Sequence, residues 1–230
     1  MARARYWPSR PLRLRSWAVR RLLLQRPVAV PPGLRARDFW ADDTVAATHC
    51  WWHQALFHLG LGEVRTACEI YDRHVRGTRS AELGDMIDAS ALWWRIELLG
   101  GDVGRRWHEL ASAWKLHRED DYCTFNDLHA MLAHVRARDW RAASRLENAL
   151  LRSHAQHSRY GETTRLVGLA ACRAIIAFGR GYYARASELI GALPASAHRL
   201  GGSHAQPNLL YLTRLEAGRR LRRSTRLEAA

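Results

Sequence analysis

Residues 48–75 predict two short helices joined by a glycine turn, and this pattern constrains the fold more than any other feature of the chain. Trp52, Ala55 and Leu59 are spaced three and four residues apart, which is the period of one helix face. Gly62 then interrupts the helix, and a second run with the same spacing follows it. The sequence therefore predicts a helix-turn-helix hairpin of the kind found in repeat proteins.

The turn of this hairpin recurs along the chain as three residues that end on a bulky apolar side chain. Successive bulky residues are 39, 37 and 43 positions apart, longer and less regular than the roughly 34 residues of a tetratricopeptide repeat. In three of the four places a small residue follows three positions later, as close helix approach requires, whereas Arg106 stands in the other. We expect an all-α fold, an α-α superhelix of stacked helical hairpins with tetratricopeptide-like repeats. The turns are Gly62-Glu63-Val64, Gly101-Asp102-Val103, Arg138-Asp139-Trp140 and Gly181-Tyr182-Tyr183.

Motifs in a fixed order add a family resemblance to this pattern. They are His49-Cys50-Trp51-Trp52-His53-Gln54-Ala55-Leu56-Phe57-His58-Leu59, then 88–95 (DASALWWR), 125–131 (FNDLHAM), 172–174 (CRA), 177–181 (AFGRG) and 201–206 (GGSHAQ). Over about residues 38–217 the chain resembles the C-terminal half of the tetratricopeptide repeat protein 38 family. It departs from that family at Gln54, where an apolar residue is usual, and at Pro207-Asn208. The resemblance implies an α-helical repeat array and brings no reaction with it.

Charge divides the 230-residue chain into three parts. Residues 1–37 contain ten Arg and no acidic residue, and a basic tail covers 218–230, whereas the repeat domain between them, 38–217, is close to electrically balanced. Basic ends bind phosphate nonspecifically, but reading a sequence of bases needs basic and aromatic residues on one surface of the body. We therefore expect no specific nucleic-acid partner. No apolar run approaches the roughly 18 residues of a membrane span, so we expect no membrane partner either.

The N-terminal segment 1–37 has the character of a disordered or foreign stretch. It is rich in Arg and Pro, and Arg20, Arg21 and Arg26 interrupt any secretory core. A transit peptide and a misplaced start upstream of a truncated gene are two further interpretations, and the abrupt end of the family resemblance near Asp38 favours the second.

The four cysteines form no Cys-x-x-Cys pair. Without an export signal we expect reduced thiols and a cytoplasmic protein. Cys68 and Cys172 lie in apolar helical runs and are interpreted as small core residues.

Histidines offer the most tempting chemistry. His49 and His53 share a helix face, as metal ligands do, but Cys50 stands where a zinc protease has its catalytic glutamate. Helix-packing histidines are the simpler interpretation, so the sequence assigns no catalytic residue, metal or cofactor. Polar residues on the first helices of the hairpins instead form a candidate binding set, with Arg95 as the residue best suited to grip an anionic group. The set is His53, Asp88, Arg95, Asp127, His129 and His204.

Three functions stay open at this point. The repeat pattern favours an interaction scaffold that takes a protein or peptide in its concave groove. A small-molecule binder or enzyme would need a compact pocket that joins Asp127, His129 and His204. A truncated remnant would expose an apolar face around Trp40 and Trp51 and associate with itself through that uncapped end.

Overall fold

The computed structural model describes residues 47–117, 123–194, 197, 200 and 208–228. Within these residues every regular element is a helix and there is no strand, so the prediction of an all-α fold is confirmed. The segment 1–37 and the start of the predicted repeat domain, 38–46, lie outside the described residues.

The helices follow one another with short connections. A π-helical stretch, Tyr71–Val75, continues α2, and a second one, Thr164–Gly168, joins α7 to α8. A 3₁₀ turn, Lys115–His117, follows α4. The helices are α1 Ala47–Leu61, α2 Val64–Ile70, α3 Leu83–Leu98, α4 Arg106–Trp114, α5 Thr124–Arg136, α6 Trp140–His154, α7 Arg159–Thr163, α8 Leu169–Gly179, α9 Tyr183–Gly191 and α10 Asn208–Glu228.

The predicted turns share one backbone geometry. One or two positions after the first helix of each pair ends, a residue has a left-handed φ, which is +84° at Gly62, +88° at Gly100, +56° at Arg138 and +85° at Gly181. The next amide then donates to a carbonyl five residues back, as Glu63 does to His58 and Tyr182 to Ala177. This is the Schellman end of a helix, for which glycine is the favoured residue.

One turn differs from the prediction in its register. After Gly100 the chain makes a second left-handed turn at Gly104, whose amide donates to Asp102 Oδ1 at 2.8 Å. The second helix therefore begins at Arg106 and not at Val103. Arg106 breaks the small-residue pattern because it is a helix start, where it pairs with Asp72.

Helices pair along the chain and the pairs then pack on one another. The pairs are α1 with α2, α3 with α4, α5 with α6 and α8 with α9, and the first helices pack in series, α1 on α3, α3 on α5 and α5 on α8. Second helices also reach forward, α4 to α5 and α6 to α8. The adjacent tryptophans Trp51-Trp52 and Trp93-Trp94 lie in the resulting core, and Trp52, Trp93 and Trp94 are at most 1% exposed.

The last described helix packs against a helix from early in the chain. α10 packs against α9, α8 and α3, and Trp94 Nε1 of α3 donates a 2.8 Å hydrogen bond to Thr213 Oγ1 of α10. The ring of Trp94 also lies 5.5 Å from that of Phe178 on α8. The boundary predicted at 217/218 falls inside α10, which runs on to Glu228.

The apolar face expected at the N-terminal end is absent at Trp51. This side chain is only 9% exposed and stacks on His74 with ring centroids 3.7 Å apart. Trp40 lies outside the described residues.

Candidate functional site

A chain of hydrogen bonds links two helices at the N-terminal end of the described array. His49 Nδ1 lies 2.8 Å from Asp88 Oδ2, and His49 Nε2 lies 3.1 Å from His53 Nε2. Four residues separate the histidines on α1, so both rings project from one face. Burial raises the pKa of Asp88 to about 6, against the pull of the His49 hydrogen bond, and burial together with His49 lowers the pKa of His53.

Arg95 and His129 lie in the interior beside this chain. Arg95 is 3% exposed, donates from Nη1 to the carbonyl of Ala91 at 2.9 Å and lies 5.7 Å from the ring centroid of Trp52. Burial lowers its pKa to about 10, and the negative charge of Asp88 opposes that shift. The guanidinium of Arg95 is therefore enclosed in the protein, where it is hydrogen-bonded to the backbone and attracted by the charge of Asp88.

His129 is buried as a neutral imidazole. Its Nδ1 donates to the carbonyl of Phe125 at 2.8 Å, while its Nε2 is buried without a hydrogen-bond partner. Burial lowers its pKa to about 4, an effect that the Phe125 carbonyl opposes and the nearby Arg95 charge reinforces.

Asp127 belongs to a different part of the molecule. Asp127 and His129 are two residues apart on α5, so their side chains face nearly opposite sides of the helix. Asp127 accepts a 2.8 Å hydrogen bond from the hydroxyl of Tyr160 and lines a surface cleft. His204 lies outside the described residues. Among the described residues, then, His53, Asp88 and Arg95 come together near His129, whereas Asp127 stands apart.

The cleft that Asp127 lines opens between α4 and α6, across α5. Its empty space, counted out to the open mouth and so including solvent, is about 660 Å³. Its walls carry apolar side chains from four helices together with a few polar groups, a composition typical of binding sites. The apolar walls are Leu83, Trp114, Ala130, Ala142, Leu146 and Ala149, and the polar groups include Lys115, Asn126, Asp127, His134 and Arg145.

Two groups in this cleft have no bonding partner among the described residues. His134 is 5% exposed and its Nδ1 is buried without a hydrogen bond, and Arg145 is an exposed cation without an ion pair. Lys115, in contrast, pairs with Asp139 at 2.5 Å. Burial lowers the pKa of His134 to about 4, with Asp139 opposing and Lys115 and Arg145 reinforcing the shift, so the ring is neutral at pH 7. Among the described residues, Arg145 therefore offers the cleft a positive charge that is not in an ion pair, and His134 offers it one unused polar nitrogen.

Sequence reasoning found part of this arrangement. The spacing of His49 and His53 placed both on one face, but their link to Asp88, which lies 39 residues from His49, depends on how α1 packs on α3. His134 and Arg145 were missed, because a histidine in an apolar stretch and an arginine on a polar face carry no signal of a cleft. Only the tertiary packing of α4, α5 and α6 brings them together.

No described group of three or more His, Cys, Asp or Glu is arranged to hold a metal ion. The four thiols are free, and burial raises the pKa of Cys68 to about 11 and the pKa of Cys172 well above its ordinary value. Neither of these two cysteines is therefore a reactive thiolate at neutral pH. None of the described helices has the length and apolar character needed to cross a membrane.

Comparisons with known proteins give no family. No protein-family model matches this chain, and no solved structure matches it.

Proposed function

We propose that this chain is a tetratricopeptide-like superhelical repeat protein and that it works as an interaction scaffold, binding a peptide segment of a partner protein. Paired helices that pack in series, first helix on first helix, support the repeat architecture. The cleft between α4 and α6 supports the binding role, and among the described residues that we first assigned to a concave groove only Asp127 lines it.

The observation that carries the proposal is the pairing of apolar walls with unused polar groups in that cleft. Leu83 and Leu146 provide surface for an apolar side chain, and Arg145 provides a positive charge that is in no ion pair with a described residue. A peptide with an aliphatic or aromatic side chain beside a carboxylate would bury that side chain in the cleft. Its carboxylate would accept a charge-assisted hydrogen bond from Arg145. His134, neutral and buried at the same cleft, would add a polar contact that sets orientation.

This proposal includes the cellular setting that we expect from the sequence. Four cysteines without a Cys-x-x-Cys pair suit a reducing cytoplasm. We expect neither a specific nucleic-acid partner nor an enzymatic reaction at this cleft.

Peptide selection on the full chain tests the proposal. A displayed library of random peptides is panned on the immobilised protein, and the affinities of enriched peptides are measured by fluorescence anisotropy. We expect enriched peptides to carry an acidic residue next to an apolar one. We also expect Arg145→Glu to weaken their binding at least tenfold, because a repulsive pair replaces an attractive one.

Arg223→Glu is the matched control, since Arg223 is exposed on α10 and the substitution changes the net charge equally. Enriched peptides that bind wild type and Arg145→Glu with the same affinity would contradict the cleft as the binding site. A panning that enriches no peptide would contradict the scaffold itself.

The alternative of a small-molecule binder or enzyme keeps one specific observation in its favour. The chain His53–His49–Asp88 is the kind of arrangement that orients an imidazole for chemistry, and it lies on α1 and α3, away from the elements that form most of the cleft.

A further inference from the structure

We propose that His49 and His53 form a binding site for a divalent transition-metal ion such as Zn²⁺ or Cu²⁺, through their two Nε2 atoms, with Asp88 holding His49 in place. The inference rests on residues of α1 and α3 and does not depend on the proposed peptide cleft.

The two ring nitrogens have the separation that one metal ion requires. Nitrogens bound to a single ion at about 2.0 to 2.1 Å are roughly 2.8 to 3.4 Å apart, for coordination angles from square to tetrahedral. His49 Nε2 and His53 Nε2 are 3.1 Å apart. No rearrangement of α1 is therefore needed for both to reach the same ion.

The orientation of the rings supports this more strongly than the distance does. The ring centroids are only 4.6 Å apart and the ring planes meet at 84°. Two imidazoles aligned head-on through their Nε2 atoms would have more widely separated centroids. The centroid distance of 4.6 Å and the Nε2–Nε2 distance of 3.1 Å are thus both compatible with two Nε2 atoms that face a common ion.

Asp88 supplies the support that metal-binding histidines usually have. A ligating histidine commonly donates its other ring N–H to a carboxylate, which fixes the tautomer and strengthens the ligating nitrogen. His49 Nδ1 lies 2.8 Å from Asp88 Oδ2, and the Asp88 side chain is 5% exposed. With its proton on Nδ1, His49 presents the Nε2 lone pair toward His53.

Packing also fixes the ring directions. His49 stacks on Trp52 with centroids 5.2 Å apart and an angle of 19° between the planes, and His53 meets the same indole edge to face at 4.9 Å. Trp52 is fully buried, so it cannot move aside. The site is thus held on one helix with its ligands already oriented, which lowers the entropy cost of binding.

Proton bookkeeping allows the ion to enter without a change in protein charge. In the metal-free arrangement one Nε2–H group donates a hydrogen bond to the other Nε2. Binding needs both lone pairs, so the donor ring moves its proton to Nδ1 and stays neutral. The side chain of His49 is 42% exposed, which leaves a route from solvent.

The donor set indicates the class of ion. Two imidazoles suit Cu²⁺, Ni²⁺ and Zn²⁺, whereas Mg²⁺ and Ca²⁺ prefer oxygen ligands. Because the described residues offer no third donor in a metal-binding cluster, the remaining coordination positions are open to water or to an outside ligand. The expected order of affinity is Cu²⁺ above both Ni²⁺ and Zn²⁺.

Titration of the full chain with Cu²⁺ and Zn²⁺ tests the site, with heat of binding measured for both ions and electron paramagnetic resonance for Cu²⁺. We expect hyperfine coupling to two nitrogens in the first equivalent of Cu²⁺. His49→Gln and His53→Gln should each weaken binding at least tenfold, and Asp88→Asn, which keeps both ligands, should weaken it about 10- to 100-fold.

The double variant His154→Gln/His157→Gln is the matched control, since it removes two histidines from elsewhere on the chain. Equal uptake of the first equivalent by His49→Gln/His53→Gln and wild type would overturn the proposal.

A second measurement needs no substitution. Zn²⁺ should protect His49 and His53 of the wild-type protein from diethyl pyrocarbonate, as mapped by mass spectrometry, and leave His108 and His157 reactive. Unchanged labelling of both ligands at saturating Zn²⁺ would overturn the site regardless of how the variants fold.

Discussion

Four backbone positions with left-handed φ end the first helices of the four pairs, and three of them are glycines. The fourth is Arg138, with φ +56°. Left-handed backbone costs an ordinary L-residue roughly 1 kcal/mol because its Cβ crowds the following carbonyl. The sequence pattern indicated the Arg138 turn only through its neighbours, since arginine is not a turn residue.

We expect Arg138→Gly to raise the free energy of unfolding by about 0.5 to 1 kcal/mol, the relieved strain being partly offset by a more flexible unfolded chain. Gly181→Ala is the mirror control, because an added Cβ at Gly181 meets no atom within 4 Å and only the φ of +85° opposes it. The free energy of unfolding should fall by about 1 kcal/mol in Gly181→Ala. Urea denaturation measures the free energy of unfolding of both variants. If both substitutions changed it in the same direction, this explanation of the turns would be contradicted.

Buried neutral histidines should make the fold sensitive to mild acid. The pKa of His129 is about 4 in the folded chain, against 6.5 for an ordinary histidine. Above pH 6.5 the residue is neutral in both states and has no effect. Between pH 6.5 and about 4 only the unfolded chain takes up the proton, so the free energy of unfolding falls as pH falls, by about 1.4 kcal/mol per unit.

From pH 7 to pH 5, His129 should therefore remove about 2 kcal/mol of stability, and His134, with the same pKa, should act in the same direction. Gln at position 129 can still donate to the Phe125 carbonyl but cannot titrate. The difference in unfolding free energy between pH 7 and pH 5 should therefore shrink by about 2 kcal/mol in His129→Gln. An identical difference in wild type and variant would show that this histidine is already solvated.

At the scale of helices, glycines set how closely α8 and the π-helical stretch before it approach α5. A Cβ at Gly168 would overlap the side chain of Thr124, and one at Gly179 would overlap that of Val135. Thr124 and Val135 lie near the two ends of α5, so both ends of this contact depend on glycine.

Gly168→Ala should destabilise the protein by about 1 to 3 kcal/mol, because the overlap forces α5 and the stretch before α8 apart. Gly84→Ala, on the exposed first turn of α3, meets no atom within 4 Å and should instead be neutral or stabilising by up to about 1 kcal/mol. Thermal unfolding followed by circular dichroism compares the two. Equal midpoints would contradict the close approach.

The helical pattern of the chain was predictable because its apolar spacing and its turns are local. The start of α4 was not, since the Asx turn between Asp102 and Gly104 lengthens that connection by three residues beyond Val103. The burial of Arg95 also escaped prediction, because a charged residue in a helix gives no local sign of whether it faces a groove or the interior.

At the scale of the whole molecule, α10 changes how the array can bind a partner. It packs on α3 and α8, and its Thr213 accepts the hydrogen bond of Trp94 across 119 residues of sequence. The surfaces of α3 and α8 on which α10 packs are therefore covered by the chain itself. The described surface offers instead the cleft between α4 and α6, whose α5 floor carries Asp127 and His134.

The two proposed sites differ in chemistry and lie on different helices. The proposed metal site is formed by His49 and His53 of α1, and the proposed peptide site by Arg145 and the apolar walls around it. Loss of metal binding in the His49 and His53 variants should leave peptide affinity unchanged, and Arg145→Glu should leave metal uptake unchanged.

Hydrogen–deuterium exchange on the full chain, with and without a saturating selected peptide, tests the central claim of a peptide-binding scaffold most directly. The account predicts slower exchange in segments of α4, α5 and α6 that line the cleft, with α9 and α10 unchanged. Protection confined to α1 and α3, or no protection while the peptide is bound, would contradict it.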